Sequence, residues 1–240
     1  MRLLIRPMRA REAIAADEAL LDLPGTSRFW FWQAEAPAVV VGIGLHHRLA
    51  SVVDLDRCRA SDVDVVERHA GGGALLLDAH VLCGAIALPI SAVSSDVTES
   101  YRWLGDALVD ALSSLGVNAR RVEVAEARAD IARLRASGDL LHNVCYGALS
   151  PHEVVVDTVE GSEKLVGLAQ VRRRHAALYQ FGILLRSQAP LADFLRVELE
   201  QDRASLRNEL ERRTIGLESL TDRSASEVAA AIADATPFAP

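Results

Sequence analysis

The sequence has no long apolar run. The stretch Met1 to Pro7 is too short in hydrophobic residues for a signal peptide, and no later segment approaches the roughly 20 apolar residues that cross a bilayer. Cysteine is scarce. Cys58, Cys83 and Cys145 are an odd number with no Cys-x-x-Cys pair and no zinc-ligand spacing, which argues against a disulfide framework and points to the reducing cytoplasm. Basic residues are outnumbered, 26 Lys and Arg against 33 Asp and Glu, and the formal net charge of −7 argues against binding nucleic acid by phosphate neutralisation. No low-complexity linker divides the chain. Half of the 240 residues are apolar, enough for a substantial core, and a single domain over 1–240 is expected.

Periodicity supplies the elements. Ala13, Ala16 and Leu20, flanked by Ile14 and Leu21, keep helical spacing over 9–22, with Arg11, Glu12, Asp17 and Glu18 expected to face water and Pro24-Gly25 to end the helix. Phe29-Trp30-Phe31-Trp32 reads as a strand with rings on both faces. Ala38 to Gly42 reads as a buried strand that leads to His46-His47, loop histidines with no carboxylate or cysteine at metal-ligand spacing. A helix over 54–60 precedes a strand over 63–67, and a returning strand over 74–88, interrupted around Gly84, is expected to complete a hairpin. Asp96 and Glu99 open a helix whose stripe Tyr101, Leu104, Leu108, Leu112 and Leu115 is closed by Gly116. Arg120 to Val124 reads as a short strand and 125–136 as a short helix ending at Ser137-Gly138. A meander follows, with strands His152 to Asp157, Lys164 to Gln170 and Ala176 to Leu185, and then two helices, 191–213 and 224–235, the second opened by a Ser224/Glu227 capping box.

Two stretches carry chemistry. In Arg68-His69-Ala70-Gly71-Gly72-Gly73-Ala74 three consecutive residues without a Cβ let the backbone expose N–H groups to an anion, with Arg68 as a fixed cation, although three glycines also suit a plain hairpin turn. In Lys164-Leu165-Val166-Gly167-Leu168-Ala169-Gln170 alternation is weak, as in a strand covered on both faces. A lysine there either finds a buried anion or sits on a solvated edge.

Together these stretches resemble the Arg-x-x-Gly-Gly-Gly loop and the Lys-x-x-Gly-Ser-Ala strand of the lipoate-protein ligase and octanoyltransferase superfamily, over roughly residues 9 to 235. Cys145-Tyr146-Gly147-Ala148-Leu149-Ser150-Pro151-His152-Glu153 is similar to the segment that carries the nucleophile of its cysteine-type octanoyltransferases. The resemblance implies an α/β (α+β) fold, a biotin/lipoyl protein ligase-like domain of mixed, mostly antiparallel sheets flanked by helices. Bacterial ligases of the superfamily commonly carry a C-terminal accessory domain, and none is expected here. The implied activity moves an octanoyl or lipoyl group from acyl carrier protein to a lysine of a lipoyl-type acceptor domain, with no cofactor. Cys145 would be the nucleophile and Lys164 would favour its thiolate and polarise the acyl carbonyl. Arg68, Gly71, Gly72, Gly73, Gly167, Ala169 and Gly182 would enclose the substrate at an apolar tunnel, and no metal is bound by the protein itself. An ATP-dependent ligase, using ATP and Mg, and a weakened acyl-binding relative are the alternatives.

The departures from the family pattern are Glu67 in place of an arginine, Leu77 and Phe181 in place of histidines, and Leu168 in place of a serine. They leave the general base unassigned, with His142, His152 and His175 nearby in sequence. Arg120-Arg121 and Arg172 to Arg174, if exposed, offer a docking patch for an acidic carrier.

Overall fold

The computed structural model describes residues 5–23, 28–137 and 140–236. Along the chain the elements are β1 (Ile5–Met8), α1 (Ala10–Ala19), β2 (Arg28–Ala34), β3 (Ala38–Gly42), α2 (Leu49–Val52), α3 (Leu55–Ala60), β4 (Asp64–Arg68), β5 (Leu75–Leu77), β6 (Val81–Pro89), α4 (Arg102–Ser114), β7 (Arg120–Arg121), α5 (Val124–Ser137), β8 (Val154–Thr158), β9 (Gly161–Arg172), β10 (Ala176–Leu184), α6 (Glu200–Arg213) and α7 (Ala225–Ala235). One sheet has seven strands in the order β1-β2-β6-β10-β9-β8-β7, antiparallel apart from the β1/β2 pair. The other has three, β4-β3-β5. This is the mixed, mostly antiparallel α/β architecture expected.

The strand period divides the large sheet into two faces. Phe31, Ile86, Tyr179 and Phe181 point to one side, where the stripe Leu104, Leu108 and Leu112 of α4 and Val228 and Ile232 of α7 cover them. Trp32, Cys83 and Leu184 point to the other and pack against Val40, Val66, Leu75 and Leu77 of the small sheet and Ala13 and Ile14 of α1. Between these two sheets lies the cavity that concerns function. Among the described residues no helix is long and apolar enough to cross a membrane.

Four local expectations are overturned. The glycine loop does not join a hairpin: β4 and β5 pair with opposite edges of β3, one parallel and one antiparallel, so the loop crosses the end of β3. The returning strand breaks at Asp78–His80 rather than at Gly84, and its two halves belong to different sheets. The segment 191–213 is not one helix. A 3-10 turn over Ala189–Phe194 is followed by extended chain, because the backbone around Leu195 bonds the 52–54 segment through Asp54 N to Phe194 O and Arg196 N to Val52 O, and only then does α6 begin. The strand at 120–124 is only two residues long, since Val124 already starts α5. Pro24-Gly25 and Gly138 fall outside the described residues. The meander and the Ser224/Glu227 capping box stand as read.

Candidate active site

The segment from Val144 to Ser150 has no regular structure of its own, so its polar backbone must be satisfied from outside. Cys145 N donates to Ala74 O at 2.8 Å, which ties the segment to the strand that leaves the glycine loop. Leu149 N donates to Asp130 Oδ2 at 3.0 Å and Ser150 N to Glu153 Oε2 at 2.7 Å. The carbonyls are taken by two cations. Lys164 Nζ bonds Cys145 O at 2.6 Å and Ala148 O at 3.1 Å, and Arg213 Nε bonds Gly147 O at 2.6 Å. Glycine is required where the segment meets the loop: a Cβ on Gly73 would stand 2.3 Å from Asn143 O, and Gly72 has φ 105°, which side chains rarely adopt.

Lys164 is fully buried. The meander therefore does give it an anion, Glu153, whose Oε2 lies 2.6 Å from Nζ. A register shift where β9 pairs Val154 and Val155 sets Lys164 beside a bulge, a device that re-aims a side chain. Burial pushes the Glu153 carboxyl up, while Lys164 and the N–H groups of Ser150 and Leu168 pull it back. With Cys145 O, Ala148 O and Glu153 as partners, the three donors of the ammonium are spent. Lys164 thus bonds the Cys145 carbonyl rather than the thiol. The group beside the sulfur is Arg68, whose Nη2 lies 3.9 Å from Sγ and 2.9 Å from Gly71 O, and whose buried Nε has no hydrogen-bond partner among the described residues.

Cys145 and Arg68 stand at one end of the cavity between the sheets, which is walled by Ile14, Trp32, Val40, Leu75 and Leu77. Gly167, Ala169 and Gly182 also line it. Gly167 and Gly182 do so by admitting the Tyr146 ring: a Cβ on either would lie 3.1 Å or 2.7 Å from a Tyr146 atom, and the Tyr146 hydroxyl donates to Gly182 O at 2.6 Å. Cys145 also borders an open groove with Gly72, Gly73, Arg48, Arg135 and His142. Gly71 lines a neighbouring pocket with Gly72 and Glu153. Among the expected site residues, Lys164 alone lies beneath the cavity wall.

Of the altered positions, Leu77, Leu168 and Phe181 all line the cavity, the Phe181 ring also packing in the core under α4, and Glu67 lies outside, 3.7 Å from His46 Nδ1. His152 is buried against Arg121, and His175 stays in the turn before β10. Arg120 and Arg121 are not a free docking patch, because Arg120 pairs with Glu126 and Asp157 and Arg121 with Asp106. Arg173 pairs with Asp22. Among the described residues no group of three His, Cys, Asp or Glu side chains is placed to hold a metal ion.

Asp17 was expected in water and is 1% exposed. Its spacing from Ala10, Ala13 and Ile14 puts it on the buried stripe of α1, a signal legible in the sequence. Inside the cavity its Oδ2 accepts from Gln180 Nε2 at 2.7 Å. Burial pushes the carboxyl up to about 7, against the pull of Gln180 and the nearby indoles of Trp32 and Trp30. Between the unfolded value of 3.8 and about 7 the folded state therefore holds a proton that the unfolded chain has lost, so stability falls as pH rises through that window. The loss is on the order of 4 kcal/mol at most. Asp17→Asn should abolish the slope, so that its melting temperature exceeds that of the wild type at pH 8 and converges with it towards pH 4. Parallel melting curves across that range would show that Asp17 titrates as in water.

Cys145 thus stands where the mostly apolar cavity between the sheets meets a second groove, beside the glycine loop and over the buried Lys164. The chain belongs to the family of the lipoyl protein ligase A/B catalytic domain, whose model matches residues 9–236. Among its relatives, the octanoyltransferase LipM of Kyrpidia tusciae is 31% identical over 232 residues, covering 92% of this chain and 80% of that one. The LipM of Lysinibacillus sphaericus is 29% identical over 220 residues, covering 87% and 74%. In fold the chain is similar to a bi-partite lipoate protein ligase from Thermoplasma acidophilum, with a TM-score of 0.77 at 22% identity over 97% of this chain and 80% of that one. It is also similar to a lipoate-protein ligase A bound with ATP, with a TM-score of 0.70 at 21% identity over 97% and 81%.

Proposed function

We propose that the protein is a cytoplasmic acyltransferase of lipoate metabolism that moves an octanoyl group from an acyl carrier protein to a lysine of a lipoyl-type domain through an acyl-Cys145 intermediate. The observation that carries this reading is the position of Cys145, which borders both the apolar cavity and the open groove. An acyl chain lying in the cavity presents its carbonyl carbon to the sulfur, while the carrier's thiol occupies the groove. Burying eight carbons is worth on the order of 5 kcal/mol, enough to select chain length and too little to bind tightly alone.

In the first step the Cys145 thiolate attacks the thioester carbonyl. The C–S bond to the carrier breaks, and the carrier leaves as its thiolate, which takes a proton from water in the groove. In the second the neutral acceptor amine attacks, an amide forms, the Cys145 thiolate is released, and the proton lost by the amine passes to water. Arg68 and the N–H groups of the glycine loop face the carbonyl oxygen as it gains charge, in the manner of an oxyanion hole. Lys164 acts one layer below by fixing the carbonyls of Cys145 and Ala148. Both steps stay at the thioester level or run downhill to the amide, so neither calls for ATP or Mg. The exposed Arg48 and Arg135 on the groove suit an acidic carrier better than the neutralised Arg120 and Arg121.

The test is transfer itself. With octanoyl-loaded carrier and acceptor domain, and no ATP, the acceptor should gain one octanoyl amide, more slowly as salt is raised. Acylation of the acceptor only from free octanoate and ATP would identify the ligase alternative instead.

A further inference from the structure

Three hollows meet at one residue. Leu168 lines the cavity between the sheets, the groove with Arg48 and Arg135, and the pocket with Gly71 and Gly72, and among the described residues it alone belongs to all three. The meeting point lies beside the sulfur. Cys145 borders the cavity and the groove, and Gly72, which borders the groove and the pocket, is so close that a Cβ built on it would stand 3.6 Å from Cys145 Sγ.

The residues around that point have little bulk. The glycine loop carries no side chains, Gly167 and Ala169 flank Leu168 on β9, and Ala148 and Ser150 are the small residues that the segment after Cys145 brings to the groove. Leu168 therefore supplies the one long apolar side chain that the three hollows share. It is half-buried and packs against the core under α4. Its backbone is held as well: Leu168 N donates to Glu153 Oε1 at 3.2 Å, and Glu153 is itself fixed by Lys164.

An acyl-Cys145 thioester at this point is open to two nucleophiles. Attack by the acceptor amine gives the amide. If water attacks instead, its oxygen bonds to the carbonyl carbon, the C–S bond breaks, one proton of the water goes to the Cys145 sulfur, and octanoic acid leaves. Arg68 and the loop N–H groups stabilise the charged oxygen in both reactions, and water is far more abundant than acceptor, so the outcome turns on whether water reaches the carbon. Excluding water is a means of protecting a reactive intermediate from hydrolysis. The altered positions bear on this. Leu77, Leu168 and Phe181 each place hydrocarbon where the superfamily pattern has a side chain able to hold a water molecule, and of the three only Leu168 stands at the junction. An incoming lysine brings its own apolar stem to the leucine, which keeps the point dry as the amine arrives.

We propose that Leu168 is a specificity-determining residue that seals the acyl-Cys145 carbonyl from water in the groove and the pocket, so that the thioester survives until the acceptor amine reaches it. The inference rests on the acyl-transfer reading and adds to it the choice between aminolysis and hydrolysis.

In the experiment the full chain is loaded with octanoyl carrier, freed of excess donor and divided. One portion is left without acceptor, and intact mass follows the loss of the adduct while free octanoate is measured. The other receives a lipoyl-type acceptor domain, and the ratio of octanoyl amide to octanoate is read. Leu168→Ser and Leu168→Ala should each lose the adduct to water at least about tenfold faster than the wild type and lower that ratio by the same order. Leu168→Met, apolar and similar in volume, should keep both near the wild-type values. A purely structural role would slow loading without moving the ratio. Wild-type ratios in the Ser and Ala variants overturn the proposal, as does a Met variant that hydrolyses like the Ser variant. The p-nitrophenyl ester of octanoic acid separates the two readings. If the carrier fails to load Cys145 and the ester succeeds, the carrier-fed transferase falls and the seal is judged from decay of the ester-loaded adduct in the same four proteins; if neither loads Cys145, both fall.

Discussion

Wild-type protein mixed with octanoyl-loaded acyl carrier protein in the absence of ATP and acceptor is expected to gain one octanoyl group, on Cys145, and Cys145→Ser to gain none. The expectation follows from the geometry around the sulfur. Arg68 Nη2 faces it, Gly72 leaves the approach open, and both cavity and groove end there. A serine hydroxyl is a far weaker nucleophile in the same place, because it is not ionised near neutral pH, and covalent catalysis by an alcohol depends on a base that takes its proton. Overall transfer by the variant should fall by at least on the order of a thousandfold. Cys58 lies on the buried face of α3, and burial pushes the Cys83 thiol well above the ordinary thiol range, so neither offers a second acceptor. Transfer by Cys145→Ser at the wild-type rate would remove the acyl-enzyme from the mechanism.

The second large effect concerns Lys164. A cation that acted only on substrate could be removed at little cost to stability, and Lys164→Ala would then be an inactive but well-folded protein. The structure gives a different expectation. Lys164→Ala leaves Glu153 as an uncompensated buried carboxylate and strips two carbonyls of their donor, and breaking a buried pair from one side costs about 3–5 kcal/mol. Glu153→Gln should cost less, because the amide still accepts from Lys164 and from the N–H of Ser150 or Leu168. Urea midpoints for the two variants check this: a Lys164→Ala midpoint equal to that of the wild type would show that the lysine is no structural post. Retention of transfer by Glu153→Gln, with stability largely kept, would in turn show that the hydrogen bonds fixing the segment, and not the carboxylate charge, are what transfer needs.

How far the sequence led can be judged residue by residue. The glycine loop and the lysine strand were legible because both are local: consecutive residues without side chains, and a charge in a run without alternation. Cys145 was legible only beside a family resemblance, since nothing in the spacing of a lone cysteine separates a nucleophile from a core residue. The false hairpin has a physical cause, because strand partners are chosen across the whole chain, and β3, inserted between β4 and β5, comes earlier in sequence than either. Asp17 was misplaced by treating charge as a sign of exposure when its position on the helix said otherwise. Tyr146, which fills the space left by Gly167 and Gly182, and the partnership of Glu153 with Lys164 depend on side chains far apart in sequence, and no pattern along the chain announces them.

The turn Asp78–His80, held by Asp78 Oδ1 accepting from His80 N at 2.8 Å, joins the last residue of β5 to the first of β6, and so fastens the roof of the cavity to its floor. Fully stretched, the four steps from Leu77 to Val81 reach about 14 Å, against about 10 Å between stacked sheets. The slot is in effect a clamp of fixed gauge, closed along that side by covalent chain. On the acyl-transfer reading, a tail is expected to be threaded lengthwise past Cys145, tip first, rather than laid in by parting the two layers, and product to back out the same way. Chain length would then be measured by depth of insertion.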